Sequence, residues 1–166
     1  YADGKVTKEE LNRQRYLYPL EAVGAGDSTL AKAYERDALT MIPTKSKLMP
    51  HAREVLEYLS GKYNLYILSN GFKELQSHKM RSSGIDEYFK KVVLSDDIGI
   101  LKPWPEIFHF ALSTTQSELN NSLMIGDSWE NDIVGAAGVG MHQVFYNLSG
   151  RTDLPFAPTY QITDLK

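Results

Sequence analysis

The sequence predicts an α/β protein, with a parallel sheet covered by helices on both faces and a short all-helical segment ahead of it. Three observations predict it. From Leu48 onward, helix-like stretches of roughly 10–15 residues alternate with short apolar runs. Each run is apolar throughout rather than alternating, as strands buried on both faces are. Each run also closes on polar or small residues: Ser69-Asn70-Gly71, Ser95-Asp96-Asp97, Gly126-Asp127-Ser128 and Asn147. In open parallel sheets ligands bind outside the carboxyl ends of the strands, so these closing residues are the first candidates for a site.

The elements follow in order. Thr7-Lys8-Glu9-Glu10 reads as a capping box ahead of Leu11. A second helix runs from Asp27 or Ser28 to about Met41, with Gly24 and Gly26 in the turn between the two and Pro43 closing the second. Pro50 opens a helix to about Ser60, and Leu65–Leu68 is a strand. A helix from about Phe72 to Ser82 stops at Gly84, and Val92-Val93-Leu94 is the next strand. Pro105 suits the first turn of a helix reaching about Thr115. Ser122-Leu123-Met124-Ile125 is a strand, followed by a helix from about Trp129 to Ala137. Val144-Phe145-Tyr146 and Tyr160-Gln161-Ile162 are the last strand candidates.

Composition limits the classes of function. An apolar fraction of 42% and a charged fraction of 23% are those of a soluble globular protein. At 166 residues there is room for one ordinary domain, or for a core with a small insert. No apolar run approaches the roughly 18 residues that a membrane span needs. A net charge of −3 argues against a nucleic-acid partner, which calls for a basic face. The chain has no cysteine, so any metal must sit on oxygen or histidine ligands. The same lack suits the cytoplasm. A small anionic substrate held by one or two local cations is compatible with all of this.

Four groups carry candidate chemistry. Asp127 closes a strand and Asp132 follows in the first helical turn; two carboxylates without histidine or cysteine nearby suit a hard cation such as Mg²⁺. Asp132 is equally an acid placed at the positive end of a helix. Ser69-Asn70-Gly71, a hydroxyl, an amide and a flexible backbone ahead of a helix, can hold a phosphate. The same triplet is also an ordinary N-cap. Lys102 stands in Leu101-Lys102-Pro103-Trp104-Pro105, where two prolines stiffen the flanking backbone, so its ammonium is a candidate fixed charge for phosphate. His51, His78, His109 and His142 have no metal-ligand spacing. Asp3 to Leu11 resembles the second half of a calcium loop, but the capping box accounts for it better.

Taken in order, Ser69-Asn70-Gly71, then Lys102-Pro103, then Gly126-Asp127-Ser128 with Asp132, resemble motifs II, III and IV of the haloacid dehalogenase (HAD) superfamily. The strings Asn70-Gly71-Phe72 and Lys102 to Phe108, and Gly126 to Ala136, are most similar to its phosphatase branch with a small helical cap, and within it to pyrimidine 5′-nucleotidases. The resemblance implies a Rossmann-like HAD core over 48–166 and a partial helical cap over 1–47. It implies a Mg²⁺-dependent phosphomonoester hydrolase working through an aspartyl-phosphate, with a small phosphorylated metabolite as substrate. It gives Ser69, Asn70 and Gly71 the phosphoryl oxygens, and Lys102 the charge on phosphate and nucleophile. It gives Asp127 the metal, and Asp132 the metal directly or through water. The resemblance also implies a first core strand ending in Asp-x-Asp, which supplies the nucleophile and the general acid/base. No Asp-x-Asp occurs in the sequence, so the 166 residues alone are expected to be inactive, as a truncated form of the enzyme. Trp104 stands where the family often has a small polar residue. Two other readings stay open: a 2-haloacid dehalogenase, which shares Ser-Asn-Gly but needs no metal, and a non-catalytic phosphate-binding or interaction module.

Overall fold

The computed structural model describes residues 7–166. The first four residues of the calcium-loop resemblance, Asp3 to Val6, lie outside them. Thr7 caps the first helix, α1 (Lys8–Ala22), its hydroxyl accepting from the Glu10 N–H at 3.1 Å. The Glu10 carboxylate does not complete the box; it turns to Arg13 and Gln14 on its own helix. Asp27 caps α2 (Ser28–Met41) through Thr29 N–H at 2.7 Å, and Pro43 lies in the single tight turn that ends it. The two helices pack on each other.

The remaining elements alternate as expected: α3 (Ala52–Ser60), β1 (Leu65–Ser69), α4 (Lys73–Ser83), β2 (Phe89–Leu94), α5 (Pro105–Thr115), β3 (Leu123–Gly126), a π-helical stretch (Trp129–Val134) running into α6 (Gly135–Gly138), β4 (His142–Tyr146) and β5 (Tyr160–Ile162). Two details differ from the sequence reading. Pro50 sits in a turn and His51 adopts a left-handed conformation (φ 61°), so α3 starts at Ala52. The helix after β3 opens as a π-turn because the N–H groups of Asp132 and Ile133 both donate to the Ser128 carbonyl, at 2.9 and 3.3 Å. Such insertions recur at functional sites.

The chain divides into two compact units. One holds the residues up to Ser46 with Glu74–Gly84; the other holds Lys47–Lys73 and Ile85–Lys166. In the second unit all strand pairing is parallel: β1 with β2, β3 with β4, and β4 with β5. The strands form a two-stranded sheet and a three-stranded sheet. Among the described residues no strand pairs with the second edge of β1 or of β3. Leu123 and Ile125 of β3 are each 47% exposed, an unusual setting for aliphatic residues on a strand of this kind. The core lies around α5, where Ile107 and Phe108 are wholly buried against Ala136 and Met141. A second cluster joins Trp129, Ile133 and Phe145. At roughly 25 cal/mol per Å² of apolar surface, these side chains fix α5 and the π-turn against the sheets, and so fix what their ends carry. Gly135 is required here: a Cβ on it would lie 2.6 Å from the Phe108 ring.

Candidate functional site

Lys102 is the centre of the arrangement. It follows Leu101 in the loop before α5, is only 8% exposed, and precedes a cis peptide bond to Pro103. Its ammonium donates to the Leu68 carbonyl of β1 at 2.8 Å and to Asp132 Oδ1 at 2.6 Å. An ammonium has three N–H donors, and these partners occupy two.

Asp132 comes from the π-turn and is 5% exposed. Its Oδ1 meets Lys102 and its Oδ2 accepts from the Ser128 N–H at 3.0 Å. A buried carboxylate is tolerated when it is paired and hydrogen-bonded in this way. Gly126 makes room for it, since a Cβ there would stand 2.3 Å from Asp132 Oδ2. The Ser128 hydroxyl caps the same turn, accepting from the Asn131 N–H at 3.3 Å and from its side-chain amide at 3.0 Å.

The Asn70 amide grips the Lys102 main chain at two points. Lys102 N–H donates to Asn70 Oδ1 at 2.7 Å, and Asn70 Nδ2 donates to the Lys102 carbonyl at 3.0 Å. The Ser69 hydroxyl accepts from the Gly71 N–H at 3.0 Å, which shapes the turn out of β1. Asp127, at the end of β3, is exposed, and its carboxylate has no hydrogen bond or ion pair among the described residues.

The candidate residues therefore fall into two groups. Ser69, Asn70, Lys102, Asp127 and Asp132 come from the ends of β1 and β3 and the loop before α5, and the hydrogen bonds above tie Asn70, Lys102 and Asp132 together. The others are engaged elsewhere. Asp97 accepts from the Leu94 N–H at 2.9 Å and Asp96 from the Lys73 N–H at 3.3 Å. Asn147 is buried and holds Arg151, whose N–H and carbonyl it engages at 2.9 and 2.8 Å. Sequence reasoning missed the Asn70–Lys102 grip and the Leu68 carbonyl. Gly126 was a usable signal for the close approach of Asp132.

Asp127 fits a hard cation: it is an oxygen donor with no protein partner, and Mg²⁺ needs only one or two protein carboxylates. Asp132, with both oxygens engaged, fits only through water. No group of three or more acidic or histidine ligands gathers among the described residues, and His51 pairs with Glu54 at 3.2 Å instead. Beside this centre, Glu130 forms an exposed pair with Arg151 at 2.7 Å. The hydrogen bond from Arg151 holds the Glu130 carboxyl below its ordinary range and raises the guanidinium above its own.

Lys102, Asp132 and Asn70 thus meet at the ends of parallel strands. The chain belongs to the haloacid dehalogenase-like hydrolase family, whose model matches residues 5–140. It is 29% identical over 170 residues to the HAD-hydrolase YfnB of Bacillus subtilis, covering 100% of this chain and 71% of that protein. The crystal structure of YfnB, bound to magnesium, superposes with a TM-score of 0.86 at 28% identity, covering 98% of this chain and 70% of that one. The pyrimidine 5′-nucleotidase YjjG of Escherichia coli is 29% identical over 167 residues, 99% of this chain and 72% of that protein. A 2-haloacid dehalogenase from Pseudomonas syringae superposes with a TM-score of 0.70 at 27% identity, covering 94% and 67%.

Proposed function

We propose that the protein is a Mg²⁺-dependent phosphomonoester hydrolase of the cytoplasm, acting on a small phosphorylated metabolite, with nucleoside 5′-monophosphates first among candidates. The observation that carries this reading is Lys102. A buried ammonium, fixed by a carbonyl and a carboxylate and keeping one N–H donor, is a preorganised charge of the kind that phosphoryl transfer depends on. Ser69 would bind a phosphoryl oxygen beside it. Asp132 keeps the ammonium paired and in place. Asp127 would hold Mg²⁺, with Asp132 reaching it through water; bound there, the ion would neutralise phosphate charge. The family's aspartyl-phosphate chemistry needs an attacking carboxylate. We assign it to a strand between the free edges of β1 and β3, and no Asp-x-Asp within the 166 residues can supply it. Residues 1–47 would form part of a helical cap. Tyr18 and Tyr34 are 56% and 55% exposed on those helices.

The test is phosphate release from nucleotides, sugar phosphates and an aryl phosphate by the product of the complete reading frame, with Mg²⁺ and with excess chelator. Turnover on nucleoside monophosphates that vanishes with chelator is expected, together with loss of most Mg²⁺ affinity by calorimetry in Asp127→Asn. The 166 residues alone should show no turnover. Halide release from 2-haloacids in chelator would make the protein a dehalogenase. Phosphate binding without turnover by the complete product would make it a binding module.

A further inference from the structure

We infer that Asn70 is a positioning residue for Lys102: its amide fixes the main chain from which the lysine reaches into the site and does not itself bind the phosphoryl group. The inference rests on the hydrolase reading above and concerns the same site.

The geometry behind it is a closed ring. One amide group meets one residue's N–H at 2.7 Å and the same residue's carbonyl at 3.0 Å, across 32 positions of sequence. A single hydrogen bond sets a distance, whereas this pair also sets the rotation of the Lys102 backbone. Few side chains can do this. A carboxylate has no donor, a hydroxyl cannot span both partners, and glutamine is a methylene longer.

Lysine needs such an anchor because its ammonium rides on a flexible four-carbon stem. Leu68, whose carbonyl receives the ammonium at 2.8 Å, lies two residues before Asn70. Both ends of Lys102, main chain and ammonium, are thus referenced to the end of β1. Asp132 supplies the third fixed point at 2.6 Å. With two N–H donors directed at fixed acceptors, the tetrahedral ammonium has one direction left for its third, and the Asn70 ring determines where that direction starts.

The alternative role, a direct contact from the remaining amide N–H to phosphate, makes a different prediction. The experiment is a double-mutant cycle on the product of the complete reading frame with Mg²⁺ at saturating substrate. Asn70→Ala should lower kcat roughly 10- to 100-fold, as a misplaced group does, with little change in KM. Lys102→Met should cost more, and Asn70→Ala added to it should cost nothing further, because nothing remains to be positioned. Asn70→Asp keeps the acceptor for the Lys102 N–H without the donor to its carbonyl, and should fall between the parent and Asn70→Ala. Thermal melts check that each variant is folded at the assay temperature. If the two losses multiply in the double variant, Asn70 acts on substrate or on the fold at large, and the inference is overturned while the hydrolase reading stands. If Lys102→Met turns over like its parent, both fall.

Discussion

Two ion pairs meet the same short turn of the chain and could hardly differ more in setting. Asp132 and Glu130 are two residues apart on the π-turn after β3. Asp132 meets Lys102 at 2.6 Å with both side chains under 10% exposed, at 7% and 9%. Glu130 meets Arg151 at 2.7 Å with side chains 68% and 30% exposed. The distances are nearly equal, so distance does not decide what each pair is worth. Around Glu130 water screens the attraction, and the pair contributes little. Around Asp132 there is little water to screen it or to take over if a partner is lost. The buried pair is therefore a poor source of net stability but expensive to break, and it holds its charge in place. That is the combination a site needs.

The largest expected effect follows from breaking the buried pair on one side. Asp132→Leu or Lys102→Met should each destabilise the fold by about 3–5 kcal/mol, since each leaves a buried charge alone. The double variant should recover much of that stability, because two apolar side chains replace two charges. It should recover none of the activity. Denaturant unfolding and turnover, measured on the same four proteins, check both halves. A double variant less stable than either single one would show that the pair stabilises the fold outright, and the contrast with the surface pair would then be one of degree.

How much of this could be read in the sequence differs between the two pairs, and the reason is physical. Strand ends were legible because an apolar run that stops on Ser69 or Gly126 announces where burial stops. Thr7, Asp27 and Pro105 announced helix starts because capping is local chemistry. Asp132 was legible as a candidate ligand, but its commitment to Lys102 was not, because a contact over 30 positions depends on how the elements pack. The π-turn had no signature, since it is defined by which carbonyl the backbone N–H groups choose. Asn147 closed a strand like the site residues did, yet it turns inward to hold Arg151. Strand composition does not reveal strand order, and the division into two sheets was foreseeable only from the resemblance, which puts a further core strand between the strands ending in Ser69 and in Asp127.

A smaller effect is expected at Gly126, which sharpens the comparison from the backbone side. Its Cβ-free surface lies against the carboxylate of Asp132 and gives Glu130 no such support. Gly126→Ala should push Asp132 off its hydrogen bonds and cost about 1–3 kcal/mol, as overpacking of a tight site does. Turnover should fall with it. If Gly126→Ala unfolds at the parent's denaturant midpoint, the site can shift to admit a methyl group, and Asp132 is held less rigidly than its two hydrogen bonds imply.

The smallest effect belongs to the exposed pair, and pH gives it a sign. Arg151 holds the Glu130 carboxyl below its ordinary value, so the folded state prefers the ionised form more than the unfolded chain does. The stability this lends is present above the unfolded pKa and is lost as pH falls through the lower, folded one. Glu130→Gln should therefore melt slightly below its parent at neutral pH, and the difference should close as pH falls through the lowered folded pKa, where both proteins come to carry a neutral group there. Salt at about 1 M should close it at neutral pH as well, since an exposed pair is screened within a few ångströms. Arg151 also lies over the Trp129 ring, 5.7 Å from its centroid, and that contact needs no charge on Glu130. A difference that survives both acid and salt would therefore place the role of Glu130 in holding Arg151 against Trp129. The outer pair would then be a packing device, closer in kind to the inner one than its exposure suggests.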